Sequence, residues 1–216
     1  MVVVRMSAAK RIFAIGDIHG CLHKLETIMG RIHVSAQDTL VFLGDYIDRG
    51  PDPKGVVDYL LNLKVECEGE VVCLRGNHEE MFLDYIAGIN QEAYLCFGGR
   101  ATVESYYANT GRFRVPESHL DFYRGLPSFY ETPDYVFVHA GLRPGVPISQ
   151  QVDEDRLWIR SLFINSSYDW GKRVIFGHTP FLVPHIEENK IGIDTGAVYG
   201  RDLTCLILPE VDFVFA

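Results

Sequence analysis

The chain has 216 residues, 47% of them hydrophobic and 23% charged, with a formal net charge of -9. That length fits a single domain spanning 1–216 with a sizeable buried core, and the acidic balance argues against a broad basic surface for nucleic acid. It leaves room for a small cationic pocket, because bound metal ions add charge that such a count omits.

The opening, MVVVRMSAAKR, is apolar only as far as Val4, too short for a signal-peptide core or a membrane span. Residues 11–16 (RIFAIG) read as a buried strand. A helix follows over 22–32, with Leu22, Leu25, Ile28, Met29 and Ile32 on one face. Residues 39–43 (TLVFL) predict a second strand. Val56, Val57, Leu60, Leu61 and Leu63 mark a second helix opened by Pro51 and Pro53. Residues 70–74 (EVVCL) predict a third strand and 79–88 a third helix, and this alternation argues for a parallel sheet covered by helices. From about 89 to 128 the chain reads as helical or irregular, broken by Gly98–Gly99 and Gly111. Strands return at 135–138, 173–176, 190–193 and 203–208, and the closeness of the last two suits an antiparallel pair. The expected fold class is α/β, with mixed sheets, two of them packed together and flanked by helices. Cys21, Cys67, Cys73, Cys96 and Cys205 are odd in number and form no C-x-x-C pair, so they read as reduced thiols of a cytoplasmic protein.

The polar clusters share one place in this pattern. Gly16-Asp17-Ile18-His19-Gly20, Gly44-Asp45-Tyr46-Ile47-Asp48-Arg49-Gly50 and Arg75-Gly76-Asn77-His78-Glu79 follow the first three strands. His139-Ala140-Gly141 and Gly177-His178-Thr179-Pro180 follow two of the later ones. The carboxyl ends of strands form the ligand crevice of open α/β sheets, and glycine lets backbone approach a ligand closely. One Asp or His at a strand end is more often a turn or cap residue; five such clusters in succession are not explained that way. Asp, Asn and His suit a hard or borderline dication. Six of them could hold two ions about 3.5–4 Å apart, a spacing suited to in-line displacement at phosphorus. A hydroxide shared by two such ions is a ready nucleophile near neutral pH, and arginines would grip phosphate oxygens.

The runs GDIHG, GDYIDRGP, RGNHE, HAG and GHTP resemble the successive motifs of the phosphoprotein phosphatase family. The likeness is greatest to its short bacterial and phage branch, the lambda-phage type, and extends from Arg11 to about Leu208. The resemblance implies a dinuclear metal site: Asp17 and His19 on the first ion, Asp45 bridging, and Asn77, His139 and His178 on the second. It implies His78 as general acid oriented by Asp48, Arg49 on the phosphate, and Arg160 of Trp158-Ile159-Arg160 as a second phosphate arginine. Arg75 would hold loops together as much as touch phosphate, and Asp194 would support the site without ligating. Manganese is the first expectation for the metal, with iron or zinc as alternatives.

The function expected from the resemblance is a protein serine/threonine phosphatase, with possible action on phosphotyrosine. Its partners would be phosphorylated proteins, with no nucleic acid and no membrane. The alternative is symmetric diadenosine tetraphosphate hydrolase, which shares GDxHGC and GNH but typically has Ala-Arg-Gly-Pro where this chain has Asp48-Arg49-Gly50-Pro51. A non-catalytic scaffold should have lost a ligand or the acid, and none is lost here. His23, His33, His119 and His185 read as bystanders, the first three without partners. The chain lacks the longer C-terminal extension and Tyr-Cys loop of the eukaryotic enzymes, so sensitivity to toxins that use that loop is not expected. Residues 90–130 match no motif and are expected to shape substrate access.

Overall fold

The computed structural model describes residues 10–107 and 111–216. The apolar opening through Val4 lies outside them. The first half runs β1 (Ile12–Ile15), α1 (Leu22–Arg31), β2 (Thr39–Phe42), α2 (Pro53–Glu66), β3 (Glu70–Cys73) and α3 (Asn77–Ile86). Two short helices, α4 (Gln91–Tyr94) and α5 (Arg100–Ser105), meet through a wide turn at Leu95–Gly99, and α6 (Glu117–Arg124) follows. The second half holds β4 (Phe129–Glu131), β5 (Tyr135–Val138), α7 (Asp153–Trp158), α8 (Ser161–Ile164), β6 (Arg173–Phe176), β7 (His185–Ile186), β8 (Lys190–Gly192), β9 (Thr204–Leu208) and β10 (Asp212–Phe215).

Two five-stranded mixed sheets result, ordered β10-β9-β1-β2-β3 and β4-β5-β6-β8-β7. In the first, β1, β2 and β3 are parallel, with Ile12 opposite Thr39 and Thr39 opposite Glu70. In the second, β5, β6 and β8 are parallel. The expected antiparallel pairing of the strands at 190–193 and 203–208 does not occur. Strand β8 pairs with β6 and β7, whereas β9 pairs with β1 and β10, in the other sheet. Closeness in sequence misled because each segment already has a neighbour: β10 turns back on β9 within four residues, and β7 on β8 likewise.

Side chains alternate across each strand, and that alternation assigns the layers. Ile12, Ala14, Val41, Leu43, Phe137, Ile175, Ile191, Leu206 and Leu208 fill the space between the sheets. Phe13, Ile15, Leu40 and Phe42 point the other way, onto Leu25 and Ile28 of α1 and Val56, Val57 and Leu60 of α2. Val136, Val138, Val174 and Phe176 cover the far face with Ile159 and Phe163. The central strands of both sheets are therefore dry on both faces, as parallel strands require, and the polar chemistry is confined to loops at strand ends. No helix among the described residues is long and apolar enough to cross a membrane. All five cysteines are free thiols.

Candidate active site

Five loops leaving the carboxyl ends of β1, β2, β3, β5 and β6 converge. Asp17, His19, Asp45, Asp48, Asn77, His78, His139 and His178 are all buried there. The backbone bends to bring them in. Among the described residues, His19, Asp45, Asp48, Arg49 and His178 have φ between +44° and +72°, and they make five of the seven non-glycine residues in that region. Each such residue costs about 1–3 kcal/mol and persists only where its surroundings fix it. Here the fixing is visible. The Asp45 carbonyl accepts the N–H groups of Ile18 and His19, the Asp48 N–H donates to Thr102 Oγ1, and the Arg49 N–H donates to the Gly98 carbonyl.

The donor atoms fall into two groups that share Asp45. His19, Asp45 and His78 form one; Asp45, His139 and His178 form the other, with the ligand atoms in each within 4.8 Å of one another. Burial drives the His19 imidazole down to about 3 and the His178 imidazole down to about 2, and it lowers His139 as well. All three are thus neutral near pH 7, the form that ligates metal. Their tautomers follow from the main chain. His19 Nδ1 lies 2.8 Å from the Ile47 carbonyl and His139 Nδ1 lies 2.9 Å from the Leu43 carbonyl, so each Nδ1–H donates outward and each Nε2 lone pair faces the cluster. His139 Nε2 then meets the Asn77 Oδ1 at 2.9 Å, two acceptors that a shared cation would reconcile. His178 Nε2 is buried with no partner at all. On the other side, the Arg49 guanidinium stands against His19 Nε2 at 2.6 Å, a cation already at a lone pair expected to take one. The donor set therefore fits divalent ions, with His78, expected as the acid, standing in the first group and Asp17, an expected ligand, in neither. Asp17 accepts the His178 N–H, at 3.1 and 3.0 Å to its two oxygens, and burial beside Asp194 and Asp45 pushes its pKa well up.

Around this set the other expected residues arrange themselves unevenly. His78 Nδ1 lies 2.5 Å from Asp48 Oδ2, while Arg49 reaches His78 Nε2 at 2.8 Å. Burial opposes charge on His78, but Asp45 and Asp48 outweigh it and raise its pKa. Arg160 is exposed, 3.5 Å from Thr179 Oγ1. Arg75 pairs with Glu80 and donates to the Arg124 carbonyl, consistent with holding loops. Asp194 accepts the Gly196 N–H, and burial pushes it up to about 6. His119 departs from expectation: it is buried, with Nδ1 at 2.8 Å from Tyr106 Oη and Nε2 at 3.0 Å from Asp58. Its partners come from α2 and from Tyr106 just after α5, too far off in sequence for local pattern to reveal. His23 and His33 are exposed, and His185 stacks on Phe181.

Three site residues were not foreseen. Glu79, fully buried, accepts N–H groups from Asp45, Tyr46 and Gly76. Tyr94 Oη and Thr102 Oγ1 each donate to Asp48 Oδ1 at 2.5 Å. Both come from residues 90–130, which thus reach the site itself. The one sequence signal was Gly98–Gly99. A side chain at Gly98 would stand 2.5 Å from Arg49 Cγ, and one at Gly99 would enter the Tyr94 ring.

Two packed mixed sheets with two donor groups sharing a carboxylate at their strand ends define a metallophosphoesterase, and the chain belongs to the calcineurin-like phosphoesterase family, whose model matches residues 10–216. Among its relatives, the bis(5'-nucleosyl)-tetraphosphatase PrpE (asymmetrical) of Anoxybacillus flavithermus is 28% identical over 93% of this chain and 91% of its own. A putative diadenosine tetraphosphatase shares the fold with TM-score 0.76 at 23% identity, covering 97% of this chain and 94% of that one. A protein serine/threonine phosphatase from Saccharomyces cerevisiae matches with TM-score 0.58 at 18% identity over 85% of this chain and 66% of its own.

These names correct the expected activity. The relative aligned over nearly the whole chain is named for a dinucleoside tetraphosphate, and this overturns both the protein serine/threonine phosphatase and the phosphorylated-protein partners expected from the motifs. The Asp48-Arg49-Gly50-Pro51 run misled for a physical reason. Asp48 lies against the His78 imidazole, and an imidazole so held would serve any leaving oxygen; the run speaks to P–O cleavage, not to the group attached.

Proposed function

We propose that this protein is a metal-dependent dinucleoside polyphosphate hydrolase that cleaves bis(5'-nucleosyl)-tetraphosphates asymmetrically, into a nucleoside monophosphate and a triphosphate. The observation that carries the reading is the end-to-end likeness to bis(5'-nucleosyl)-tetraphosphatase PrpE, joined to two donor groups that share Asp45. The lambda-phage-type motifs speak for a short enzyme of the same chemistry. The extent of the family match supports one domain over 1–216.

Asp17, His19, Asp45, Asn77, His139 and His178 would hold two divalent ions, with Asp45 between them; manganese suits a set of carboxylate, amide and imidazole donors. Such ions supply positive charge against phosphoryl oxygens and lower the pKa of water. Arg49 and Arg160 are the groups available to grip the bridging phosphates. His78 would protonate the departing phosphate oxygen from Nε2, with Asp48, itself held by Tyr94 and Thr102, fixing the ring through Nδ1. Free thiols and a nucleotide substrate are consistent with a cytoplasmic location.

The test is hydrolysis of diadenosine tetraphosphate with manganese, followed by separation of the nucleotides. AMP and ATP in equal amounts support the reading; ADP alone would indicate symmetric cleavage, and unchanged substrate would refute the activity.

A further inference from the structure

A cavity of about 220 Å³ opens beside the donor cluster, lined by Phe97, Trp158, Met81 and Tyr94, with Asp84 and Asn90 as polar members. Its two large aromatic rings are out of the core: Phe97 is 54% exposed and Trp158 41%. Large aromatics left in water beside a polar site have no packing reason to be there. The wider cavity of about 510 Å³, lined by Asp134, Lys172, Arg173 and Glu187, opens where β5 and β6 begin, away from the chemistry.

The smaller cavity is continuous with the site through three of its members. Tyr94 lines it with its ring while its hydroxyl donates to Asp48. Trp158 presents its ring edge-on to His178, centroids 6.3 Å apart. Phe97 precedes Gly98, whose carbonyl accepts the Arg49 N–H. A molecule whose phosphate lies at Arg49 therefore has this groove as an adjacent aromatic surface, beside the exposed Tyr199 ring, whose centroid is 6.0 Å from the Arg49 guanidinium carbon.

We infer that this groove is a nucleobase subsite, in which a base of the substrate stacks on Phe97 and Trp158 while Asp84 and Asn90 accept its amino hydrogens. Aromatic faces bind any base by stacking, and the thioether of Met81 adds a polarisable contact. A cavity of about 150 Å³ holds benzene, so the volume here admits a planar heterocycle. The inference rests on the dinucleoside polyphosphate reading and supplies what that reading lacks, a contact that distinguishes a nucleotide from a bare phosphate chain.

The protein has two tryptophans, Trp158 and Trp170, so a Trp170→Phe background leaves Trp158 as the reporter. With manganese present, AMP and ribose 5-phosphate are titrated against tryptophan emission and, in parallel, by calorimetry. AMP should quench Trp158 and bind at least about ten-fold more tightly than ribose 5-phosphate, the scale of one stacked base. Phe97→Ala should remove that advantage without moving ribose 5-phosphate affinity, and Phe97→Tyr should restore it. Equal affinity for the two ligands, or an AMP affinity indifferent to Phe97→Ala, overturns the subsite. Turnover of diadenosine tetraphosphate is scored separately. Base-dependent binding without turnover keeps the subsite and refutes the proposed activity; turnover without base-dependent binding does the reverse.

Discussion

Glu79 gives both carboxylate oxygens to main-chain N–H groups, 2.9 Å from Asp45, 2.8 Å from Tyr46 and 2.9 Å from Gly76. Burial and the neighbouring Asp45 push its pKa up to about 8, against the pull of those donors. The loop it holds carries Asp45 at φ +53°, so Glu79 sets the carboxylate shared by the two donor groups. Glu79→Gln turns one acceptor into an amide donor and leaves a buried N–H unpaired, at about 1–3 kcal/mol. We expect a lower Tm together with weaker manganese binding by calorimetry; unchanged metal affinity would show that the loop keeps its shape unaided. Arg49→Ala removes a guanidinium placed between His19 and His78. It should cost about 2–4 kcal/mol of transition-state stabilisation, as preorganised electrostatic donors do, read as kcat/KM on diadenosine tetraphosphate. For His78 the leaving group decides. A departing phosphate oxygen is far less basic than an alkoxide, so it needs less of a proton. Across a series of aryl phosphates, His78→Asn should therefore lose most on the most basic leaving group. A uniform loss would assign His78 a positioning role instead.

At the scale of elements, the strands and the loops that follow them were legible because both have short-range causes. Short continuous apolar runs located β1, β2, β3, β5 and β6, and glycine beside Asp, Asn or His marked where each ended. Gly50 illustrates the tightness: a side chain there would collide with the His19 carbonyl, so Gly50→Ala should cripple activity even where the fold survives, as measured by circular dichroism beside turnover. The helices of residues 90–130 were not legible as part of the site, because Tyr94 and Thr102 reach Asp48 across 46 and 54 residues, and no periodicity carries that. Strands β4, β7 and β10 escaped notice because each lies at a sheet edge and is partly exposed, so none reads as a buried apolar run. A further contact ties β1 to the turn before β2. Asp38, buried, accepts from Arg11 and from the Ser35 N–H and hydroxyl. Burial opposes its charge, but these donors hold its carboxyl well below the usual range. A depressed carboxylate contributes its full stability above the unfolded value of about 4 and loses it as the pH falls further. The Tm of the protein should therefore drop more steeply than that of Asp38→Asn between about pH 5 and pH 2, and parallel profiles would contradict the assignment.

For the molecule as a whole, the two sheets act as a rigid frame that presents five loops from one end, and the chemistry depends on what those loops gather. The fold and the wider calcineurin-like phosphoesterase family were readable from the motifs, because metal ligation and phosphoryl transfer demand particular residues at strand ends; the lambda-phage branch was a finer reading than the motifs carry. The substrate was not, because the roles proposed for Asp48, Arg49 and His78 concern a phosphorus–oxygen bond whatever carries it; the residues proposed to face a base, Phe97 and Trp158, carry no nucleotide motif, Trp158 standing out only as the start of Trp158-Ile159-Arg160. The most direct test of the central claim is one competition assay. The protein, with manganese, is given diadenosine tetraphosphate and a phosphoserine peptide together, and products are followed by chromatography before and after chelation. The account predicts AMP and ATP from the dinucleotide, little inorganic phosphate from the peptide, and loss of both on chelation; rapid dephosphorylation of the peptide with the dinucleotide intact, or cleavage that survives removal of metal, would contradict it.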